Sequence, residues 1–370
     1  MQNIVIVGAG PAGIGLGVLL QKAGIRHFSI LEQADIGASF RQWPKEMRMI
    51  TPSFPGQGFG ALDLNAVVPD TSPAYTLGSE HPSGIAYADY LSLLANYFQL
   101  PVRTGTKVKR VDKVDGIFQL ETSRGLVETR TLVWATGEYQ FPNDRPFAGA
   151  DMARHNRWIK SWQDIDAAHV TVIGGYESGV DAAFHLTHLG KKVLLISKSI
   201  ILPHEKKADP SFSLSPFTQQ RLHRARATGR LEIIEQTAVT SIRQSHTDIR
   251  FSLSDGSAFA AHTVPVLATG FFSGAKQISA LFEWRSDGKP RLTAEDESTK
   301  VDNLFLIGPS VRQGYTVFCF IYKFRQRFAV VGQTIADRLE LPYDDTVFKD
   351  YRDNQMYLDD LSCCKVKCEC

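Results

Sequence analysis

Residues Asn3 to Glu32 recur, without a gap, as His169 to Lys198. Gly8 falls on Gly174, Gly13 on Gly179, Gly24 on Gly190, and Glu32 on Lys198. Each copy opens on an apolar run, Ile4-Val5-Ile6-Val7 or Val170-Thr171-Val172-Ile173, and turns through glycines. A strand, a glycine turn and a helix in that order make a cradle for a pyrophosphate. The first glycine makes the tight turn, the second lets backbone approach the phosphates, and the third lets helix pack on strand. The unpaired N–H groups at the helix start add the positive end of a dipole. Two such cradles predict an α/β chain that holds two dinucleotides and passes electrons between them.

The first copy, Gly8-Ala9-Gly10-Pro11-Ala12-Gly13, has the full context. A Leu-rich segment from Ile14 to Lys22 follows it, and an apolar run from Phe28 to Leu31 closes on Glu32. An acid at that point is placed to accept hydrogen bonds from a ribose. The second copy, Gly174-Gly175-Tyr176-Glu177-Ser178-Gly179, departs in two places. Tyr176 stands where the second glycine belongs, so a nucleotide there must take another path or bind more weakly. Ser178 can donate to a phosphate, and Gly175 still relieves the turn. Lys198 replaces the acid, and a lysine attracts the 2′-phosphate that a carboxylate would repel. NADPH is therefore expected ahead of NADH. His204, Lys206 and Lys207 follow in the same loop, and Arg221, Arg224 and Arg226 lie on the next expected helix, where a solvated basic surface is the plainer role.

The chain's 370 residues suffice for two or three domains. A net charge of +2 gives no whole-protein field toward nucleic acid or an acidic membrane. No apolar run reaches the roughly 18 residues of a membrane span. The first apolar stretch, which lacks a basic leader, is expected to be a core strand and not a signal peptide. Four of the five cysteines crowd into the last eight residues, unlike a disulfide framework. A cytoplasmic location is expected.

After the first cradle comes an irregular segment, Ser39 to Phe59, with Phe40, Trp43, Phe54 and Phe59 among prolines and glycines. Such a loop is expected to cover a ligand, core filling being the competing role, stronger for Phe59 than for Trp43. Tyr87, Tyr90, Leu91, Leu94 and Ala95 predict a helix over about 84–98. Strands are expected over 107–111, 117–122 and 126–133, the last running into Ala135-Thr136-Gly137. A second such ending, Ala268-Thr269-Gly270, follows an apolar run over 264–267. Between them lie strands near 231–234 and 249–253, and a helix opened by Ser215-Pro216 and stopped by Gly229. Residues 151–265 are thus predicted as a domain inserted into a discontinuous first domain, 1–150 with 266–341. A long helix from Thr316 to Leu339 would complete the first domain. Residues 342–370 form an acidic, then Cys-rich, tail of little periodicity.

This layout resembles the two-dinucleotide-binding flavoproteins: flavin-containing monooxygenases, thioredoxin reductases and the bacillithiol disulfide reductase group. The likeness spans nearly all of residues 1–340. It rests on the first glycine motif with Glu32, both Ala-Thr-Gly segments, the second glycine motif, and Gly308 at the end of a late strand. It implies two Rossmann-like domains, the NAD(P)H domain inserted into the FAD domain. It implies FAD on Gly8, Gly10, Pro11, Ala12, Gly13, Glu32, Gln33, Ser39, Phe40, Trp43, Val108, Ala135, Thr136, Gly137 and Gly308. It implies NADPH on Gly174, Gly175, Tyr176, Glu177, Ser178, Gly179, Lys198, Thr269 and Gly270.

Ala135-Thr-Gly-Glu-Tyr-Gln-Phe-Pro142 looks like the monooxygenase group's stretch at this point, and Phe147, Gly149, His155 and Trp158 are similar to its next signature with altered spacing. The mid-chain CxxC of thioredoxin reductases is missing. The resemblance therefore implies hydride transfer from NADPH to flavin and oxygenation of a soft nucleophile such as sulfur, nitrogen or arsenic. No catalytic acid or base is assigned, and His155 reads as a packing histidine. A disulfide or metal reductase working through the C-terminal cysteines is the alternative, and a flavin-bearing sensor or metal-handling accessory protein is a third. A homodimer is plausible from the resemblance.

Cys363, Cys364, Cys368 and Cys370 offer soft ligands for Cu(I), Zn(II) or trivalent arsenic. Lys365 and Lys367 would favour their thiolates, and Leu361-Ser-Cys-Cys364 is similar to the C-terminal pair of mercuric reductases. The spacing matches no standard zinc pattern. Metal or metalloid capture, a redox-active tail and an incidental reduced tail all stay open.

Overall fold

The computed structural model describes residues 1–56, 59–202 and 209–362. The chain divides into two compact units. Among the described residues, one comprises Met1–Arg41, Thr51–Glu138 and 273–362; the other comprises Gln42–Ile50 and Tyr139–Phe272. The segment Gln42–Ile50, which the sequence pattern assigns to the first domain, thus belongs to the second unit.

The first unit is built on β1 (Gln2–Val7), β2 (Phe28–Leu31), β3 (Val102–Arg103), β4 (Val108–Val114), β5 (Ile117–Thr122) and β6 (Gly125–Trp134). The order is β3-β2-β1-β6-β5-β4, and the late strand Leu304–Leu306 also pairs with β6. β1 is parallel to both neighbours, with Val7 opposite Leu31 and Trp134. A strand flanked on both sides and covered on both faces must be apolar throughout, and Ile4, Val5 and Ile6 are fully buried. β6 is long enough to pair antiparallel with β5 through Gly125–Thr129 and parallel with the late strand through Leu132–Trp134.

The helix Gly84–Tyr97 starts where Ser83 Oγ accepts from Ala86 N, and it buries Tyr87, Tyr90, Leu91, Leu94 and Ala95 as the helical spacing predicts.

Two expectations fail near the C-terminus. In place of one helix over 316–339, Thr316–Val317 pairs with Arg312–Gln313, a short turn of helix covers Ile321–Phe324, and the main helix is Phe328–Arg338. Buried arginines shape this region. Arg325 sends one nitrogen to the carbonyls of Asp63 and Ala66, and Arg327 donates Nε to Asp296 Oδ2 at 2.7 Å. The tail is also better ordered than its polarity suggests: Asp345–Asp353 is a helix capped by Asp344, with Val347, Phe348 and Tyr351 buried.

The second unit has a parallel five-stranded sheet and an antiparallel three-stranded one. Its strands are β7 (Arg154–His155), β8 (His169–Ile173), β9 (Lys192–Ile196), β10 (Leu231–Ile234), β11 (Val239–Ser245), β12 (Asp248–Leu253), β13 (Ala258–Ala261) and β14 (Val266–Leu267). The parallel order is β10-β9-β8-β14-β7, and β11-β12-β13 stand apart. Of the three-stranded sheet the sequence pattern yields only β12, because its flanking strands carry mostly polar or small residues. The helix Pro216–Ala227 is capped by Ser215, whose Oγ accepts from Thr218 N at 3.2 Å, and Gly229 follows in the left-handed region. Among the described residues no helix is long and apolar enough to cross a membrane.

Asp296 and Arg327 both have fully buried side chains, and Arg327 also reaches the carbonyls of Leu358 and Ala294. Gln313 Nε2 occupies the other carboxylate oxygen of Asp296 at 2.6 Å. Deleting one partner strands the other as a buried charge, which costs about 3–5 kcal/mol. Asp296→Ala is expected to lower unfolding free energy in urea by that amount; a loss under about 1 kcal/mol, the range of exposed pairs, would show that the pair does not hold the C-terminal segment.

Candidate functional site

Both glycine turns are built on one plan. In the first, Gly8 N donates to Leu31 O and Ala135 N to Val7 O, each at 2.8 Å. In the second, Gly174 N donates to Ile196 O and Ala268 N to Ile173 O, again at 2.8 Å. Gly8 has φ +109° and Gly174 φ +114°. A Cβ at Gly8 would stand 2.5 Å from Ala135 O, and one at Gly174 would stand 2.3 Å from Ala268 O. No other residue meets both the backbone angle and the close approach. Each Ala-Thr-Gly segment therefore does more than carry the chain toward the other unit. It is the floor beneath its own glycine turn.

Gly308, at φ +103°, closes the first cradle from the late strand: a Cβ there would touch Ala12 Cβ at 3.4 Å, and Ile307 N donates to Trp134 O. Glu32 is 8% exposed, and its carboxylate takes Ala9 N on Oε2 and Ala34 N on Oε1, both at 2.9 Å. It thus fixes the glycine turn while each oxygen keeps a lone pair.

The structural counterpart of Glu32 is Ser197, not Lys198. In β1–β2 Ile4 pairs with Phe28, and in β8–β9 Val170 pairs with Val193, one residue earlier than the ungapped superposition requires. The turn after the helix is one residue shorter in the second copy, a slip that glycine matching cannot reveal. The hydrogen bonds agree: Glu32 N donates to Arg103 O and Ser197 N to Ile234 O. Ser197 also packs where a Cβ on Gly175 would fall, 2.5 Å from its own Cβ. Lys198, the next residue, is exposed.

The two cradles differ most at their middle position. Gly10 has φ −83°, which any residue adopts, and a Cβ there would meet nothing within 4 Å. Neither backbone nor packing asks for a glycine, so the open space above it is what the missing side chain preserves. Pro11, Ala12 and Gly13 open the helix Pro11–Lys22 beside it. The matching Tyr176 is 46% exposed, and its hydroxyl lies 3.0 Å from Ser211 O and 2.8 Å from Ser213 O. Glu177 accepts from Ser215 N, Ser215 Oγ and Thr218 Oγ1, although burial pushes its carboxyl pKa up. It serves the start of the helix Pro216–Ala227. Ser178 and Gly179 lie in the first turn of the helix Glu177–His188.

Of the other expected residues, Gln33, Ser39, Phe40 and Val108 stay in the first unit, where Phe40 packs on Tyr87 at 4.9 Å. Thr136 and Gly137 continue the strand end, and Gly137 O accepts from Gly274 N. Glu138, which lies within the stretch from Ala135 to Pro142 but is given no role by its pattern, takes Lys289 Nζ and Ser310 Oγ. Phe59 is 95% exposed, contrary to a core role. Arg221, on the expected helix, is buried on Asp181 and so is not part of a solvated basic surface, whereas Arg224 and Arg226 are exposed.

Trp43 packs in the second unit with Tyr139, at 6.4 Å between ring centroids. Tyr139 in turn meets Phe271 at 5.0 Å, and the Arg157 guanidinium lies over the Tyr139 ring. Thr269 Oγ1 donates to Asn143 O, while Gly270 O accepts from His155 Nε2. His155 Nδ1 accepts from Arg157 N at 3.1 Å, so the ring is neutral with its proton on Nε2. Burial pushes its pKa down to about 4. The four tail cysteines, with His204, Lys206 and Lys207, lie outside the described residues, among which no His, Cys, Asp and Glu cluster could hold a metal.

The chain belongs to the pyridine nucleotide-disulphide oxidoreductase family, whose model matches residues 5–308 and so takes in both cradles. It is 27% identical over 198 residues to an uncharacterized oxidoreductase, CzcO, of Bacillus velezensis, covering 50% of this chain and 52% of that one. It is 29% identical over 228 residues to the indole-3-pyruvate monooxygenase YUCCA1 of Oryza sativa subsp. japonica, covering 59% and 52%. The chain spans about half the length of these curated relatives. Its fold is similar to that of bacillithiol disulfide reductase Bdr from Staphylococcus aureus, with a TM-score of 0.74, 20% identity, and coverage of 91% and 99%.

Because the folded pKa of His155 lies below its free value near 6.5, neutral His155 favours the fold fully above about pH 6.5, and this is lost as pH falls toward 4. The loss is at most about 3 kcal/mol. The melting temperature of His155→Gln should therefore fall less between pH 7 and 4.5 than that of the natural protein. Parallel acid limbs would show that His155 takes up no proton on unfolding.

Proposed function

We propose that this chain is an FAD- and NADPH-dependent oxidoreductase of the monooxygenase type, with FAD on the Gly10 cradle and NADPH on the Tyr176 turn. The open space over Gly10 carries the reading, since a glycine that nothing inside the protein requires is accounted for by a pyrophosphate laid against its backbone. Ala12 and Gly13 would offer N–H groups at the helix start, and Glu32 its free lone pairs to a ribose. When bound, FAD supplies hydride acceptance from NADPH and the activation of oxygen toward a soft nucleophile.

The chain's own part is to bind, orient and exclude water. Neutral His155, with both ring nitrogens engaged by backbone, holds the strand end at Gly270 and moves no proton. Ser197 leaves no carboxylate at the place of Glu32, and exposed Lys198 beside it suits a 2′-phosphate. The likeness to a monooxygenase over more than half the chain supports oxygenation. The similarity in fold to a disulfide reductase supports the second reading, in which a substrate disulfide takes the electrons. Oxygen uptake matching NADPH consumption in the presence of a thioether or amine favours the first; disulfide reduction without oxygen uptake favours the second.

Gly10→Ala should fold with an unchanged melting temperature yet be purified without the yellow flavin absorbance of the natural protein, whereas Gly8→Ala should fail to fold. Full flavin content in Gly10→Ala, or a colourless natural protein that refuses added FAD, would remove the FAD assignment.

Lys198→Glu should raise the KM for NADPH at least about tenfold more than that for NADH, a difference of about 1.4 kcal/mol for one charge-assisted contact. An unchanged ratio of the two constants would mean that the 2′-phosphate is read elsewhere.

A further inference from the structure

We propose that the second unit carries a separate site for a small organic polyanion, in the groove between the helices Glu177–His188 and Pro216–Ala227. The groove has a volume of about 410 Å³, within the range of about 300–1,000 Å³ typical of small-molecule sites. Its floor is an arginine already held in place. Arg221 is buried, donates Nη1 to Asp181 Oδ1 and Nη2 to His185 Nε2, and lies between the rings of Phe184 and Phe217 at 4.6 and 4.7 Å. Fixing a guanidinium in advance removes the entropy cost of ordering it on binding.

Three more cations line the same groove: Lys45, Arg48 and Arg224. Among the described residues none of the three has a carboxylate within ion-pair distance; Arg48 Nη1 donates only to the carbonyls of Lys45 and Met47, at 2.9 Å each. The carboxylates nearby are already engaged. Asp181 is bound to Arg221, and Glu46 accepts from Ser161 Oγ and Trp162 N. A positive groove with unspent cations favours a ligand bearing two or more anionic groups, and the two phenylalanine rings favour a carbon skeleton between them.

This groove is not the nucleotide cradle. Phe184 and His185 lie roughly two helical turns, about 11 Å, beyond the helix start at Glu177. The proposal is independent of the redox reading.

Calorimetric titration of the flavin-loaded protein with citrate and with inorganic pyrophosphate, at low salt and with acetate as control, tests it. One saturable site is expected for citrate or pyrophosphate, with acetate weaker by at least about tenfold. The Arg48→Glu/Arg224→Glu double variant should weaken that site by at least about tenfold, with Lys198→Glu leaving it unchanged. Should the double variant melt early, Arg224→Gln, altering an exposed side chain, serves in its place. Tighter citrate assigns carboxylates and tighter pyrophosphate assigns phosphates, and either supports the site. No saturable binding up to about 10 mM, equal binding of acetate, indifference to the arginine variants, or loss in Lys198→Glu would overturn it.

Discussion

The contact between each glycine turn and the end of a neighbouring strand governs both units. Gly8 and Gly174 each place a backbone so close to an alanine carbonyl that a single methyl group would part them. That closeness lets the N–H of the alanine reach back to the preceding strand, at Val7 O or Ile173 O, while the glycine N–H reaches the next one. Three strands are thereby locked at the end where the helix begins. The helix start, with its unpaired N–H groups, is consequently held at a fixed height over the sheet, which a phosphate site at a helix N-terminus requires. Because the lock is made by backbone atoms, the turns can carry different side chains without losing shape.

That freedom has been used differently in the two copies. In the first, the carboxylate of Glu32 ties the turn through Ala9 N, and Gly10 keeps the space above it clear. In the second, serine replaces the acid, and the tyrosine at the middle position reaches to the carbonyls of Ser211 and Ser213. Glu177 continues the same link by receiving the backbone of Ser215. Burial alone would drive its carboxyl toward the neutral form, and three donors work against that. The second turn is thus joined to the start of the next helix through side chains, while the first is tied through the carboxylate of Glu32 at the end of its own β-α-β unit.

What the sequence discloses follows from how local each feature is. Both cradles, the Ser215-Pro216 helix start and the buried face of Gly84–Tyr97 are written in periodicity and in residues of special backbone geometry, and they are found where the pattern puts them. The displacement of Lys198 by one residue escapes glycine matching because the missing residue lies in a turn with no fixed composition. The short strand at Thr316–Val317 escapes because it is specified by pairing with Arg312–Gln313, and the burial of Arg325 and Arg327 escapes because Asp63, Asp296 and Leu358 are distant in the chain. The helix Asp345–Asp353 hides among acids, its three buried side chains too few to stand out as a stripe. The two weak strands beside β12 are specified by pairing rather than by their own residues.

The points where the chain enters and leaves the second unit show how side chains can act without touching a ligand. Gln42, Tyr139 and Phe271 lie at or next to the ends of its segments and gather around Arg157 and His155. His155 receives a backbone N–H on one nitrogen and gives a proton to Gly270 O with the other. A protonated ring could not accept from Arg157 N, so charge on the imidazole would break the link nearest the backbone. Burial that holds the ring neutral therefore keeps the Ala-Thr-Gly end at its register beneath Gly174, and with it the second turn. A histidine in such a place works as a fixed pair of hydrogen bonds, and its low proton affinity is a condition of that work.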